Sequence, residues 1–138
     1  MRTALAFTAL ALLSACTDVL DLVRAGQQYE LRSINGQPVP WPSPSGNGGY
    51  IGAGWVKIDD DSLAERHEQT DRSEWTLSGR YQFKLGMFII DYGPGWQPGM
   101  FGPMQRVDTF RVSGDELVLR EGAFTAPNDS MVRRYARP

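Results

Sequence analysis

Glu74-Trp75-Thr76-Leu77-Ser78-Gly79-Arg80-Tyr81-Gln82-Phe83-Lys84-Leu85 alternates without interruption. Trp75, Leu77, Tyr81, Phe83 and Leu85 share one side with Gly79, and six polar residues hold the other. Side chains of an extended chain point to opposite faces at successive residues, so this spacing predicts a long strand with one wet and one buried face. Gly79 within it predicts a bend or a close backbone approach. Working outward, further strands are expected at 28–34, 52–58, 63–69, 87–92, 106–112, 116–121 and 130–137. Asn35-Gly36, Asp59-Asp60-Asp61, Ser113-Gly114-Asp115 and Pro127-Asn128-Asp129 supply turns between them. Eight short strands joined mainly by tight turns predict an antiparallel meander. Closing it removes exposed edges, so the expected fold is all-β, an antiparallel up-and-down eight-stranded barrel.

Two segments depart from this rhythm. Residues 37–50 are rich in Pro, Gly and Ser and are expected to form a loop. Residues 93–104 are also loop-like, yet carry Trp96, Met100, Phe101 and Met104. Loops run over the surface and are normally polar. This apolar one is expected either to plug a barrel end or to serve as an adaptable lid or partner patch.

The N-terminus has a different character. Arg2 precedes an apolar run from Ala4 to Leu13, which is too short for the ~20 residues of a membrane-spanning helix. Leu13-Ser14-Ala15-Cys16 then resembles the lipobox of bacterial lipoproteins, in which the cysteine is lipidated and becomes the first mature residue. The resemblance implies a signal peptide at 1–15, a lipid anchor on Cys16, and a mature chain of one domain size. An ordinary cleaved leader, or a buried helix with a chance cysteine, are the alternatives. A single acyl chain anchors only marginally, and the implied diacylglyceryl group supplies two. Thr17 stands where an aspartate is associated with inner-membrane retention, so the expected address is the outer membrane, facing the periplasm. Residues 16–27 read either as a tether or as a short amphipathic helix built on Val19, Leu20, Leu22 and Val23.

Charge and cysteine usage exclude several classes. The formal net charge is −2, and −3 without Arg2, so phosphate binding is not favoured and no nucleic-acid partner is expected. Arg133, Arg134 and Arg137 read as a small patch on a solvated strand end. Cys16 is the only cysteine. Once lipidated, it leaves no thiol for a disulfide, a thiolate metal site or cysteine catalysis.

Tyr29-Glu30-Leu31-Arg32-Ser33-Ile34-Asn35-Gly36-Gln37-Pro38-Val39-Pro40 is similar to the opening of small bacterial lipocalin-like domains. Leu77 to Phe83 resembles their Gly-x-Tyr strand, 108–119 their later hairpin, and 131–135 their closing strand. Together these cover most of 28–137 and imply a lipocalin-like (calycin-type) barrel over 28–138. They imply no catalytic residue. The chain departs from that pattern at 62–72 and at 93–104, where a specific function would be grafted.

Candidate chemistry is sparse. His67 is the only histidine, and Glu65 shares its strand face. Without a second histidine or a thiolate the pair falls short of a zinc set. The 62–72 stretch reads first as a solvated strand with cross-strand charge pairs, and second as a polar face lining a pocket. Asp59-Asp60-Asp61 lacks the spaced oxygen ligands of a calcium loop and reads as a turn. No nucleophile elbow is present, and no enzyme activity, cofactor or metal is expected. Trp55, Trp75, Tyr81, Phe83 and Phe88 are expected in the core or lining, and barrels of this size are either filled or hold one ligand. The leading expectation is binding of a small apolar or amphiphilic molecule, with Trp75, Tyr81 and Phe83 as lining and the 93–104 loop as gate. A wholly packed interior would remove it. The alternative is docking of an envelope protein through that loop.

Overall fold

The computed structural model describes residue 23 and residues 26–42, 49–59, 62–95, 104–121 and 131–138. Their strands are β1 (Gln28–Ile34), β2 (Gln37–Pro38), β3 (Trp41–Pro42), β4 (Tyr50–Ile58), β5 (Leu63–Thr70), β6 (Glu74–Lys84), β7 (Met87–Gly95), β8 (Met104–Ser113), β9 (Glu116–Glu121) and β10 (Met131–Ala136). All pairings are antiparallel, and each strand from β4 to β10 pairs with the next. β1 pairs with β10 along Glu30–Ile34 and with β4 along Gln28–Glu30, which closes an eight-stranded up-and-down barrel. β2 and β3 are two-residue additions to β1 and β4, lying inside the segment expected to be wholly loop.

The closed barrel is the architecture that alternation and turn spacing predicted, with three differences in detail. Leu85 does not extend the apolar face of β6. It turns the β6–β7 hairpin with φ 53° beside Gly86 at 75°, and is 92% exposed. Two positive φ values in a two-residue loop are the I′ pattern, which twists in the sense of the flanking strands. Asn35-Gly36 repeats the pattern at 51° and 78°. Second, β7 continues to Gly95 and β8 begins at Met104, so both ends of the expected 93–104 loop are strand, with a register shift between Asp91 and Pro94. Third, Trp55 lies on the outer wall, where its ring stacks on His67 at 5.1 Å.

The connections leave the barrel at two ends. At one end of the barrel β4–β5, β6–β7 and β8–β9 are joined by short turns; this is the hairpin end. From the other, the loop end, leave residues 35–49, 71–73, 96–103 and 122–130. Val23 belongs to the buried core, Gly26 N–H donates to the Ile58 carbonyl at 2.7 Å, and Ile58 N–H donates to Gln27. The chain is thereby stitched to β4 at the hairpin end. The remainder of 16–27, including the helix-or-tether alternative and Cys16, lies outside the described residues.

Gly79 fixes the middle of β6. A Cβ there would collide with the Asp91 backbone, its carbonyl carbon 2.8 Å away. β7 therefore crosses β6 as closely as only glycine allows, the close approach the sequence predicted. This contact separates Trp75 and Leu77 on the loop-end side from Tyr81 and Phe83 on the hairpin side.

Candidate functional site

Four inward faces run from apolar residues into charged ones as they approach the loop end. On β5 Ala64 is followed by Arg66 and Glu68. On β8 Phe110 is preceded by Asp108, on β9 Leu119 is followed by Glu121, and on β10 Tyr135 is preceded by Arg133. Period-two geometry keeps each charge on the same inner face as its apolar neighbour. Arg66, Glu68, Asp108 and Arg133 are all buried, and Arg66 is completely so.

The charges answer one another. Arg66 Nη1 donates to Asp108 Oδ2 at 2.8 Å and to Glu121 Oε1 at 2.6 Å. Arg133 Nε donates to Glu68 Oε2 at 2.9 Å, Arg133 Nη2 reaches Glu68 Oε1 at 3.4 Å, and Arg133 Nη1 donates to Glu121 Oε2. Tyr92 O–H donates to Asp108 Oδ2 at 2.7 Å. Two guanidiniums thus hold three carboxylates, with Glu121 bridging both. Burial works against the charge on Arg66, yet Tyr135, Glu121 and Asp108 outweigh it and hold its pKa well above the usual value. Burial likewise pushes Glu121 up, but Arg66 and Arg133 prevail and keep it below the ordinary carboxylate range. Burial and the neighbouring Asp108 carboxylate both push the Tyr92 phenol far up, so Tyr92 stays a donor. Desolvating so many charges costs several kcal/mol per ion, so such a cluster persists only when nearly every lone pair is met. Among the described residues two buried atoms are left without a partner, Arg66 Nε and Tyr135 Oη.

Above this floor sits a rim. The Arg66 guanidinium lies 5.2 Å from the Trp75 ring centroid. Arg106, two residues before Asp108 on the same face, lies 5.6 Å from the Trp75 centroid and 5.9 Å from that of Tyr92. Trp75, Leu77, Tyr92 and Arg106 are only half-buried.

The middle of the barrel is different. Val56, Ala64, Phe88, Ile90, Phe110 and Tyr135 have no solvent exposure, so no water-sized space borders them. A ligand has no room at that level. The half-exposed inner positions lie toward the two ends.

The expected site residues divide accordingly. Trp75 is part of the rim. Tyr81 and Phe83 lie on the hairpin side of Gly79, each with its ring 5.4 Å from that of Phe88, so the three lining residues do not form one site. Met104 pairs through its backbone with Gly95 at the first position of β8. Trp96, Met100 and Phe101 lie outside the described residues. Glu65 and His67 face outward: Ser78 Oγ donates to Glu65 at 3.0 Å, and His67 lies 3.0 Å from Thr76 Oγ1 and 3.4 Å from Glu74. Among the described residues no group of three or more His, Cys, Asp or Glu side chains is placed to hold a metal ion.

The 62–72 stretch therefore corrects its first reading. One of its polar faces is solvated, and the other, with Arg66 and Glu68, enters the barrel. Arg133 likewise leaves the expected solvated patch, whereas Arg134 and Arg137 remain outside, paired with Glu116 and Asp115. The signal lay in the spacing: Arg66, Asp108, Glu121 and Arg133 each stand two residues beyond an apolar inward position, and Glu68 two beyond Arg66. No protein-family model, curated protein or solved structure matches the chain.

Proposed function

We propose that this protein binds a small amphiphilic molecule at the loop end of its barrel, without chemical turnover, while anchored in the bacterial envelope by lipid on Cys16. The observation that carries the reading is the contrast inside the barrel: a sealed middle, and above the ion network a half-exposed rim of Trp75, Leu77, Tyr92 and Arg106. Ligand sites combine apolar and aromatic walls with a few placed polar groups, and this rim offers both. The carboxylates of the network are already engaged by arginines, which suits a rigid floor better than a proton-transfer centre. The anchor rests on the Leu13-Ser14-Ala15-Cys16 resemblance, and the outer-membrane, periplasm-facing address on Thr17.

Native mass spectrometry of the exported Cys16→Ser protein tests binding: a discrete extra mass lost on denaturation is expected. A bare mass, together with no amide shift at Trp75, Leu77 or Tyr92 on adding dodecanoate or dodecyl maltoside, would overturn it. Metabolic acyl labelling tests the anchor, and label persisting on Cys16→Ser would refute it. The filled middle also favours a second reading, docking of an envelope protein at the loop end. Crosslinking from Trp96 that recovers one partner, lost in a Trp96→Ala, Phe101→Ala double variant, would select it.

A further inference from the structure

The charges at the loop end are not equivalent. Apart from the buried Arg66 Nε, Arg66 and Arg133 direct their guanidinium nitrogens at Glu68, Asp108 and Glu121, and each of those carboxylates has at least one guanidinium bond of 2.9 Å or less. Arg106 brings the local charge to balance but makes no hydrogen bond or ion pair among the described residues. Its guanidinium is held only by the faces of Trp75 and Tyr92, at 5.6 and 5.9 Å. Stacking on aromatic faces fixes the plane of a guanidinium while leaving its N–H edge available. A planar fork of donors, half-exposed and positioned in advance, matches the two oxygens of a carboxylate or the oxygens of a phosphate. The floor is closed to such an anion, because its arginines are committed and its carboxylates repel.

We propose that Arg106 is the specificity-determining residue of the loop end and selects amphiphiles with an oxyanion head, carboxylate or phosphate. The head lies on the Arg106 edge and the apolar part against Trp75 and Leu77. This rests on the binding function proposed above and adds the chemistry of the ligand.

The test uses the full chain carrying Cys16→Ser, titrated by calorimetry with dodecanoate, dodecyl phosphate, neutral dodecyl maltoside, and acetate and inorganic phosphate as heads without tails. Dodecanoate or dodecyl phosphate is expected to bind about tenfold or more tightly than the maltoside, the worth of one charge-assisted contact. Which of the two binds better identifies the head. Arg106→Gln is expected to erase the preference of the anionic amphiphiles over the maltoside. Arg106→Lys, which keeps the charge and loses the fork, is expected to retain only part of it. Cooperative thermal unfolding of both variants, followed by circular dichroism, shows that they fold. A preference that survives Arg106→Gln, or equal binding of all three amphiphiles by the parent chain, overturns the assignment and leaves barrel binding standing. Binding of acetate or inorganic phosphate as tight as that of the tailed anions supports the anion site and overturns the amphiphile. Binding of none overturns both.

Discussion

Toward the hairpin end, Phe88 meets Tyr81 and Phe83 at 5.4 Å and Phe110 at 5.7 Å, and Phe110 meets Tyr135 at 6.0 Å. Toward the loop end, the same inner faces carry a network of two guanidiniums and three carboxylates, with Arg106 above it. One half is held by contacts with no preferred direction, each ring contributing in proportion to the area it removes from water. The other is held by donors and acceptors that are valuable only as a set. Removing one methyl group from the first leaves a small void, whereas removing one charge from the second leaves its partners buried and unanswered. The barrel thus joins a tolerant half to an all-or-none half across Gly79.

The largest effects test that difference directly. Phe110→Ala and Arg133→Met should each cost about 3–5 kcal/mol in urea unfolding, for different reasons. The second loss should be largely recoverable. Adding Glu68→Leu to Arg133→Met removes the carboxylate left behind, while Arg66 still holds Asp108 and Glu121, so the double variant should be more stable than Arg133→Met alone. A double variant no better than the single would show that the network is not organised by pairing. Next, Gly79→Ala should cost roughly 1–3 kcal/mol, because β7 must move off β6; a thermal midpoint equal to the parent's would discount that close approach.

Smaller effects follow from titration. Glu121 has a depressed pKa in the fold, so its stabilisation is complete above the ordinary carboxylate value of 4.5 and fades as pH falls through the lower folded value. The stability gap between the parent and Glu121→Gln should therefore narrow across that acid window. A gap independent of pH would show that Glu121 is not paired in solution. Tyr92 and Tyr135 run the opposite way: their raised phenol pKa values keep stability intact below 10.0 and release it as pH rises beyond. Alkaline unfolding should accordingly begin later in Tyr92→Phe, read by circular dichroism. Smallest of all, Leu85→Asn should raise stability by about 0.5–1 kcal/mol, since leucine at φ 53° in an exposed I′ turn is strained where asparagine is not.

The apolar half was legible and the charged half was not, for one physical reason. Alternation announces a strand only where the two faces differ in polarity, as they do at 74–84. On β5, Glu65-Arg66-His67-Glu68 is polar on both faces, so hydropathy carries no phase and the run reads as solvated. Ala64 held the missing phase, because it fixes 66 and 68 as inward. Leu85 misled in the opposite sense, as an apolar residue continuing the alternation that the turn had already ended. Trp55 went outward because Val56 and Ile58, not the larger ring, set the phase of β4.

The stitch between Gly26–Gln27 and Ile58 has a directional consequence. β1 begins at the hairpin end and β10 finishes there, since Gln28 pairs with Lys57 and Ala136 with Glu116. Whatever tethers the chain ahead of residue 26 joins it at the pole opposite Arg106. A membrane anchor on that side would act as a stalk beneath the barrel, presenting the ion network and its rim outward, away from the bilayer that holds it.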